Sequence, residues 1–157
     1  MKHLKLYEQF ITKIDSKFTD TKVVGEDGKP LIVYHGSAEK FDVFDKSKIG
    51  QNYTYSEDSG FFFTQREQSA KNYARLHTRL KSDGHVYPAY LNIVNPIVRS
   101  TNSDYWAPAD HFDMHHSELM REVRLGDNID GIIIKGTRND NLYIVFEPEQ
   151  IQLINRT

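Results

Sequence analysis

The residues with the clearest chemical potential stand together at Tyr34-His35-Gly36-Ser37, where the apolar run Leu31-Ile32-Val33 ends. Consecutive apolar residues of this kind read as a buried strand, so the imidazole of His35 falls where a core strand opens into a cleft. Gly36 has no Cβ, and either lets the chain turn sharply or lets a ligand come close to bare backbone. His35 and Ser37 are not read as a base and nucleophile, because a turn at Gly36 breaks the face that positions i and i+2 share in a strand. His111, His115 and His116 with Asp113 form a second polar group, in which His111 and His115 lie one helical turn apart. It lacks the His-Glu-x-x-His arrangement. The reading adopted is a solvated polar face, and no metal is expected. No Gly-x-Gly-x-x-Gly, phosphate loop or Gly-x-Ser-x-Gly elbow occurs in the chain.

Composition narrows the setting in which these residues work. The chain has 157 residues, 38% of them hydrophobic and 27% charged, with a formal net charge of −2. That is one soluble domain, residues 1–157, large enough to bury a core. The charge argues against non-specific binding to nucleic acid or a membrane surface as the main activity, while leaving a nucleic-acid substrate open. Cysteine is absent, which excludes disulfides, thiol catalysis and zinc–thiolate sites. No apolar run reaches the ~18 residues of a membrane span. The start Met1-Lys2-His3-Leu4-Lys5 lacks the apolar core of a signal peptide, so a cytoplasmic location is expected.

The elements that must position His35 can be read from periodicity. Leu4, Tyr7, Phe10, Ile11, Ile14 and Phe18 make an apolar stripe that predicts a helix over about 2–18, packed on the domain. Asp27-Gly28 between Lys22-Val23-Val24 and Leu31–Tyr34 predicts a hairpin that delivers the His35 strand. Phe61-Phe62-Phe63-Thr64 reads as a strand in which at least one ring faces away from the other two. Thr64-Gln65-Arg66-Glu67 matches a capping box opening a helix over about 65–80, with Ala70, Tyr73, Leu76 and Leu80 on one stripe. Strands are expected over 85–94, 97–98, 129–134, 142–146 and 151–154, with a helix over 113–123. Strands, a hairpin and helices without strict βαβ alternation indicate an α+β fold.

Four ordered pieces carry a resemblance. They are Asp27-Gly28-Lys29-Pro30 with Tyr34-His35-Gly36-Ser37; Phe41 and Phe44 followed by Gly60 to Thr64, Ala70 and Tyr73; Tyr90-Leu91-Asn92 with Asn95-Pro96; and Asp130-Gly131-Ile132 with Tyr143-Ile144-Val145-Phe146-Glu147-Pro148 and Gln150-Ile151. Together they resemble an ADP-ribosyltransferase of the diphtheria-toxin and poly(ADP-ribose) polymerase type, most nearly the domain found in phage polyvalent proteins. The first helix, residues 1–20, lies outside the resemblance. The implied fold is α+β, with split β-sheets around an NAD⁺ cleft and peripheral helices. By position, His35 matches the histidine that holds a ribose hydroxyl of NAD⁺. Gly36 matches the glycine whose backbone bonds the nicotinamide amide, and Ser37 the residue that contacts the adenosine-side ribose. Phe62 and Tyr73 match the aromatic pair that stacks the nicotinamide, an arrangement that favours a flat, partly cationic ring.

Two positions depart from the family pattern. Ala70 stands where a serine often bonds the nicotinamide amide. Leu142 stands where the catalytic glutamate is usual, just before Tyr143-Ile144-Val145-Phe146. Among Asp140, Asn141 and Glu147, Asp140 is the best stand-in, because in an extended strand it shares the face of Leu142. An apolar residue at this position resembles the mono-ADP-ribosyltransferase branch, and also branches that have lost activity. The implied function is transfer of one ADP-ribose from NAD⁺ to a protein or nucleic-acid acceptor, in the cytoplasm or, for a phage-encoded chain, the host cytoplasm. The alternatives are a catalytically silent NAD⁺-binding or protein-binding module and, disfavoured for want of a basic set in the cleft motifs, an RNA 2′-phosphotransferase.

Overall fold

The computed structural model describes residues 14, 16–48, 60–76, 83–100, 118–136 and 139–154. Among the described residues seven strands form one mixed sheet: β1 Val33–Ser37, β2 Phe61–Thr64, β3 His85–Leu91, β4 Pro96–Ser100, β5 Gly131–Lys135, β6 Leu142–Val145 and β7 Ile151–Leu153. Their order across the sheet is β4-β5-β6-β2-β1-β3-β7. Only β4 and β5 run parallel; the other neighbouring pairs are antiparallel. Helix α1 is Glu67–Leu76, and residues 118–125 form a second helix, α2. The predicted N-terminal helix lies mostly outside the described residues; its end, Ser16–Phe18, is a 3₁₀ turn with Phe18 buried. His111, Asp113, His115, His116 and Trp106 also lie outside them.

The sheet is two half-sheets with one seam. Register in β4-β5-β6-β2 and in β1-β3-β7 runs over several residues, whereas β1 and β2 share a single pair, Tyr34↔Thr64. Strand alternation sorts the side chains onto two faces. On one face Val33, Phe61, Phe63, Ala89, Leu91, Ile133, Tyr143 and Val145 join Val23 and Phe44 in a single cluster. On the other, Ile97, Ile132, Ile134, Leu142 and Ile144 pack with Leu119 and Met120 of α2, and Phe62 packs against this second cluster. The three phenylalanines thus divide two against one, as an extended strand between two cores requires. Each buried side chain of this size contributes roughly 1.5–3 kcal/mol by leaving water.

The hairpin forms through the bridge Val24↔Pro30, with Gly28 at φ 74° in the turn. Its base is fastened by Thr21, whose buried hydroxyl donates to the Leu91 carbonyl at 2.6 Å and accepts from the N–H groups of Val23 and Ile93. The Asn92, Asn95, Asp130 and Gln150 positions resolve into a polar brace where strands end. Asp130 accepts from the N–H groups of Val94 and Asn95, both at 2.8 Å. Gln150 donates to the carbonyls of Asn92 and Asp130 and accepts from the N–H groups of Phe146 and Glu147. One side chain therefore ties the ends of β3, β5 and β6 together. Gln150→Ala is expected to destabilise the fold by about 2 kcal/mol, the net worth of bonds partly replaced by water. Urea denaturation followed by circular dichroism measures this, and an unchanged midpoint would show that the brace is dispensable.

Candidate functional site at the sheet seam

His35 stands at the seam. Past Tyr34↔Thr64 the two strands have no further ladder pairs, and the imidazole takes up the role of a ladder donor. Its Nδ1 lies 2.7 Å from the carbonyl oxygen of Phe62 on β2. A carbonyl only accepts, so Nδ1 carries the proton and Nε2 is left as the acceptor nitrogen. Four aromatic rings surround the imidazole: Phe41, Phe44, Phe63 and Tyr87, with centroids 5.9, 5.1, 5.4 and 6.4 Å away. Phe41 and Tyr87 stack at 4.2 Å, and the Tyr87 hydroxyl accepts the Phe41 N–H. Desolvation by this girdle outweighs the Phe62 hydrogen bond and lowers the His35 pKa from 6.5 to about 4. His35 is therefore neutral at physiological pH.

The expected turn at Gly36 does not occur. β1 continues through Gly36↔Val86 and Ser37↔His85, so His35 and Ser37 do share a face. Ser37 Oγ accepts the Glu39 N–H at 3.2 Å instead of engaging His35. What demands glycine at 36 is helix α1: a Cβ built there would lie 2.0 Å from the Ala70 carbonyl oxygen and 3.2 Å from the Ala74 nitrogen. By alternation Gly36 points to the face opposite His35, which is the face of Phe62 and Leu142. Helix α1 lies over that face through its buried residues Ala70 and Ala74. Tyr73, between them, is half-buried. Gly36, Phe62, Ala70, Tyr73 and Leu142 are thus brought to one side of the sheet, while His35 and Ser37 approach the seam from the other.

Leu142 is 3% exposed, pairs with both Thr64 and Ile134, and is sealed into the second core. Its apolar character follows from packing under α2. The neighbouring carboxylate is held differently. Asp140 Oδ1 accepts the backbone N–H of Arg66 at 3.2 Å, and Oδ2 accepts the Ser69 hydroxyl at 2.5 Å. This contact puts Asp140 on the α1 side of the sheet, beside Leu142. It also revises the start of the helix. Helix α1 begins at Glu67, later than the capping box places it; the Thr64 hydroxyl donates to the Arg66 carbonyl, while Asp140 takes the Arg66 N–H from across the sheet. The Ser69 contact is not legible in the sequence, since its partner is distant in the chain. The aromatic girdle is visible there only as separate Phe and Tyr positions. Among the described residues no group of three or more potential ligands could hold a metal ion, and no helix is long and apolar enough to cross a membrane.

A mixed sheet split at one residue pair, with helices outside it and a histidine bridging the split, is an ADP-ribosyltransferase-like fold. The family model described as ADP-ribosyltransferase in polyvalent proteins matches residues 25–156, and the chain belongs to that family. No curated protein matches the chain. The buried residues Phe18, Thr21 and Val23 precede the matched region, so part of the core is built from sequence outside it.

Two outcomes follow from this geometry. Below pH 6.5 the unfolded chain takes up the His35 proton before the folded one does, so stability falls as pH drops toward 4 and the loss levels off beneath that. Between about pH 7 and about pH 5 this costs about 2 kcal/mol. His35→Gln should therefore show a shallower decline in urea-measured stability over that range, and equal slopes would mean His35 is not held neutral. Gly36→Ala should cost about 3 kcal/mol or more by overpacking against backbone; a wild-type denaturation midpoint would mean that α1 does not press on β1.

Proposed function

We propose that this chain is a mono-ADP-ribosyltransferase, moving one ADP-ribosyl group from NAD⁺ to a protein or nucleic-acid acceptor with release of nicotinamide. Family membership, together with the gathering of Gly36, Phe62, Tyr73 and Asp140 on one face of the sheet, carries this reading. The open edge of β1 past Tyr34 offers the Gly36 backbone to the carboxamide of nicotinamide. Phe62 and Tyr73 stack the ring. Ala70 adds no hydroxyl, so the amide is held through backbone alone. His35 Nε2 accepts a ribose hydroxyl, and Ser37, whose Oγ already accepts from Glu39, has its own proton to donate to the second ribose.

The reaction breaks the bond between the anomeric carbon and the nicotinamide nitrogen, with the electron pair leaving on nicotinamide. Positive charge grows on the ribose as this happens. Asp140 is assigned the carboxylate that faces this charge, in place of the glutamate that Leu142 displaces. The acceptor nucleophile then attacks the anomeric carbon and loses its proton. A preorganised charge of this kind is typically worth about 10²–10³ in rate. The proposed compartment is the cytoplasm, or the host cytoplasm for a phage-encoded chain.

A second reading has one observation in its favour: Leu142 is sealed in the core and carries no polar group into the cleft. On that reading the chain binds NAD⁺ or a protein without chemistry. Incubation with labelled NAD⁺ and host lysate separates the two. The transferase should label an acceptor and release nicotinamide, and Asp140→Asn should lower release about 10²-fold or more. NAD⁺ binding with no release by the wild-type protein would instead establish the silent module.

A further inference from the structure

We infer that Ser69 is a positioning residue for this reaction: its hydroxyl orients the Asp140 carboxylate in the cleft. The inference rests on the transferase reading above. Asp140 lies outside the regular strand β6, which begins at Leu142, and just after Asn139, whose φ is 57°. A side chain at such a strand entrance has no core packing to fix its rotamer, so something else must orient it. Two donors from the α1 segment do so. The Arg66 N–H binds one oxygen and the Ser69 hydroxyl the other, at 3.2 and 2.5 Å.

The Arg66 bond alone would satisfy the exposed N–H at the helix start and would leave the carboxylate free to rotate about it. The Ser69 bond adds a second point of attachment on the other oxygen, which fixes the carboxylate plane. Ser69 also precedes Tyr73 by one helical turn, so the two share a stripe of α1. The helix that carries the proposed stacking ring therefore also aims the proposed charge. Loss of a hydroxyl that merely stabilised the helix would lower stability without selecting for turnover. Misalignment of a reacting group by about 1 Å costs on the order of 10²-fold in rate, with little effect on ground-state binding.

The test measures nicotinamide release, KM for NAD⁺ and melting temperature on the full chain, for S69A, S69T, D140N and the S69A/D140N double variant. S69A is expected to lose about tenfold or more in kcat, with KM changed less than about twofold. S69T, which keeps the hydroxyl, should recover most of that loss. In the D140N background S69A should have no further effect, because residues acting through one another are non-additive. Wild-type kcat in S69A, no recovery in S69T, or an undiminished S69A effect on top of D140N would each overturn the assignment. Rates are taken below each variant's melting temperature, so that even a less stable S69A is compared as folded protein. If the wild-type protein binds NAD⁺ but releases no nicotinamide, the transferase reading falls, and this inference with it; a wild-type protein that turns over while S69A turns over equally well removes this inference alone.

Discussion

The constraint on which the rest of the structure depends is the interruption of the sheet between β1 and β2. A ladder limited to Tyr34↔Thr64 leaves strand edges unpaired where neighbouring strands would normally saturate them. An open edge inside a domain is costly unless something satisfies it. Here the Nδ1–H of His35 reaches the Phe62 carbonyl and closes part of the gap with a side chain. The aromatic girdle withdraws much of the imidazole from water, which keeps it neutral, while the Phe62 bond sets its tautomer. A structural bond at one ring nitrogen thereby prepares the other as an acceptor.

The seam also explains how the remainder of the chain is arranged. Each half-sheet must be held firmly enough that the gap does not spread. On the β1-β3-β7 side, Thr21 fastens the entering segment to the end of β3. Gln150 and Asp130 tie the ends of β3, β5 and β6 across the two halves. Helix α1 crosses over the seam face, pressed on Gly36 at one end and tied to Asp140 at the other. Farther along the same face α2 covers β5 and β6, and the Arg99–Glu122 ion pair links it to β4. The exposed Lys46–Glu147 pair, 57% and 50% accessible, adds little by comparison.

On the proposed function, Leu142 would stand where a carboxylate is missing, and its surroundings say what such a carboxylate would meet there. Its neighbours are apolar, and a carboxylate facing them would need a partner within that core. A carboxylate at the strand entrance, as at Asp140, escapes that burial. There α1 supplies hydrogen-bond donors that the strand interior does not have.

Much of this was legible in the sequence because it rests on local rules. The strand that carries His35, the Asp27-Gly28 hairpin, the alternation of Phe61, Phe62 and Phe63 and the α+β class all follow from periodicity and turn chemistry. The ordered motifs pointed to the family that the chain belongs to. What periodicity could not supply were pairings between residues far apart in the chain. The sequence suggested a turn at Gly36, whereas the strand runs on and the glycine is required by a helix 34 positions later, at Ala70. It suggested Thr64 as the helix cap, whereas Asp140 takes the Arg66 N–H across 74 positions. It offered Asn92, Asn95, Asp130 and Gln150 as family marks, and only the folded chain showed them bonded to one another's backbone. The sequence by itself determined which segments become strands and which faces are apolar, because those properties depend on neighbours a few residues away. The tertiary structure decided where the sheet splits and which polar groups meet at the split, because those depend on contacts that exist only once the chain has closed on itself.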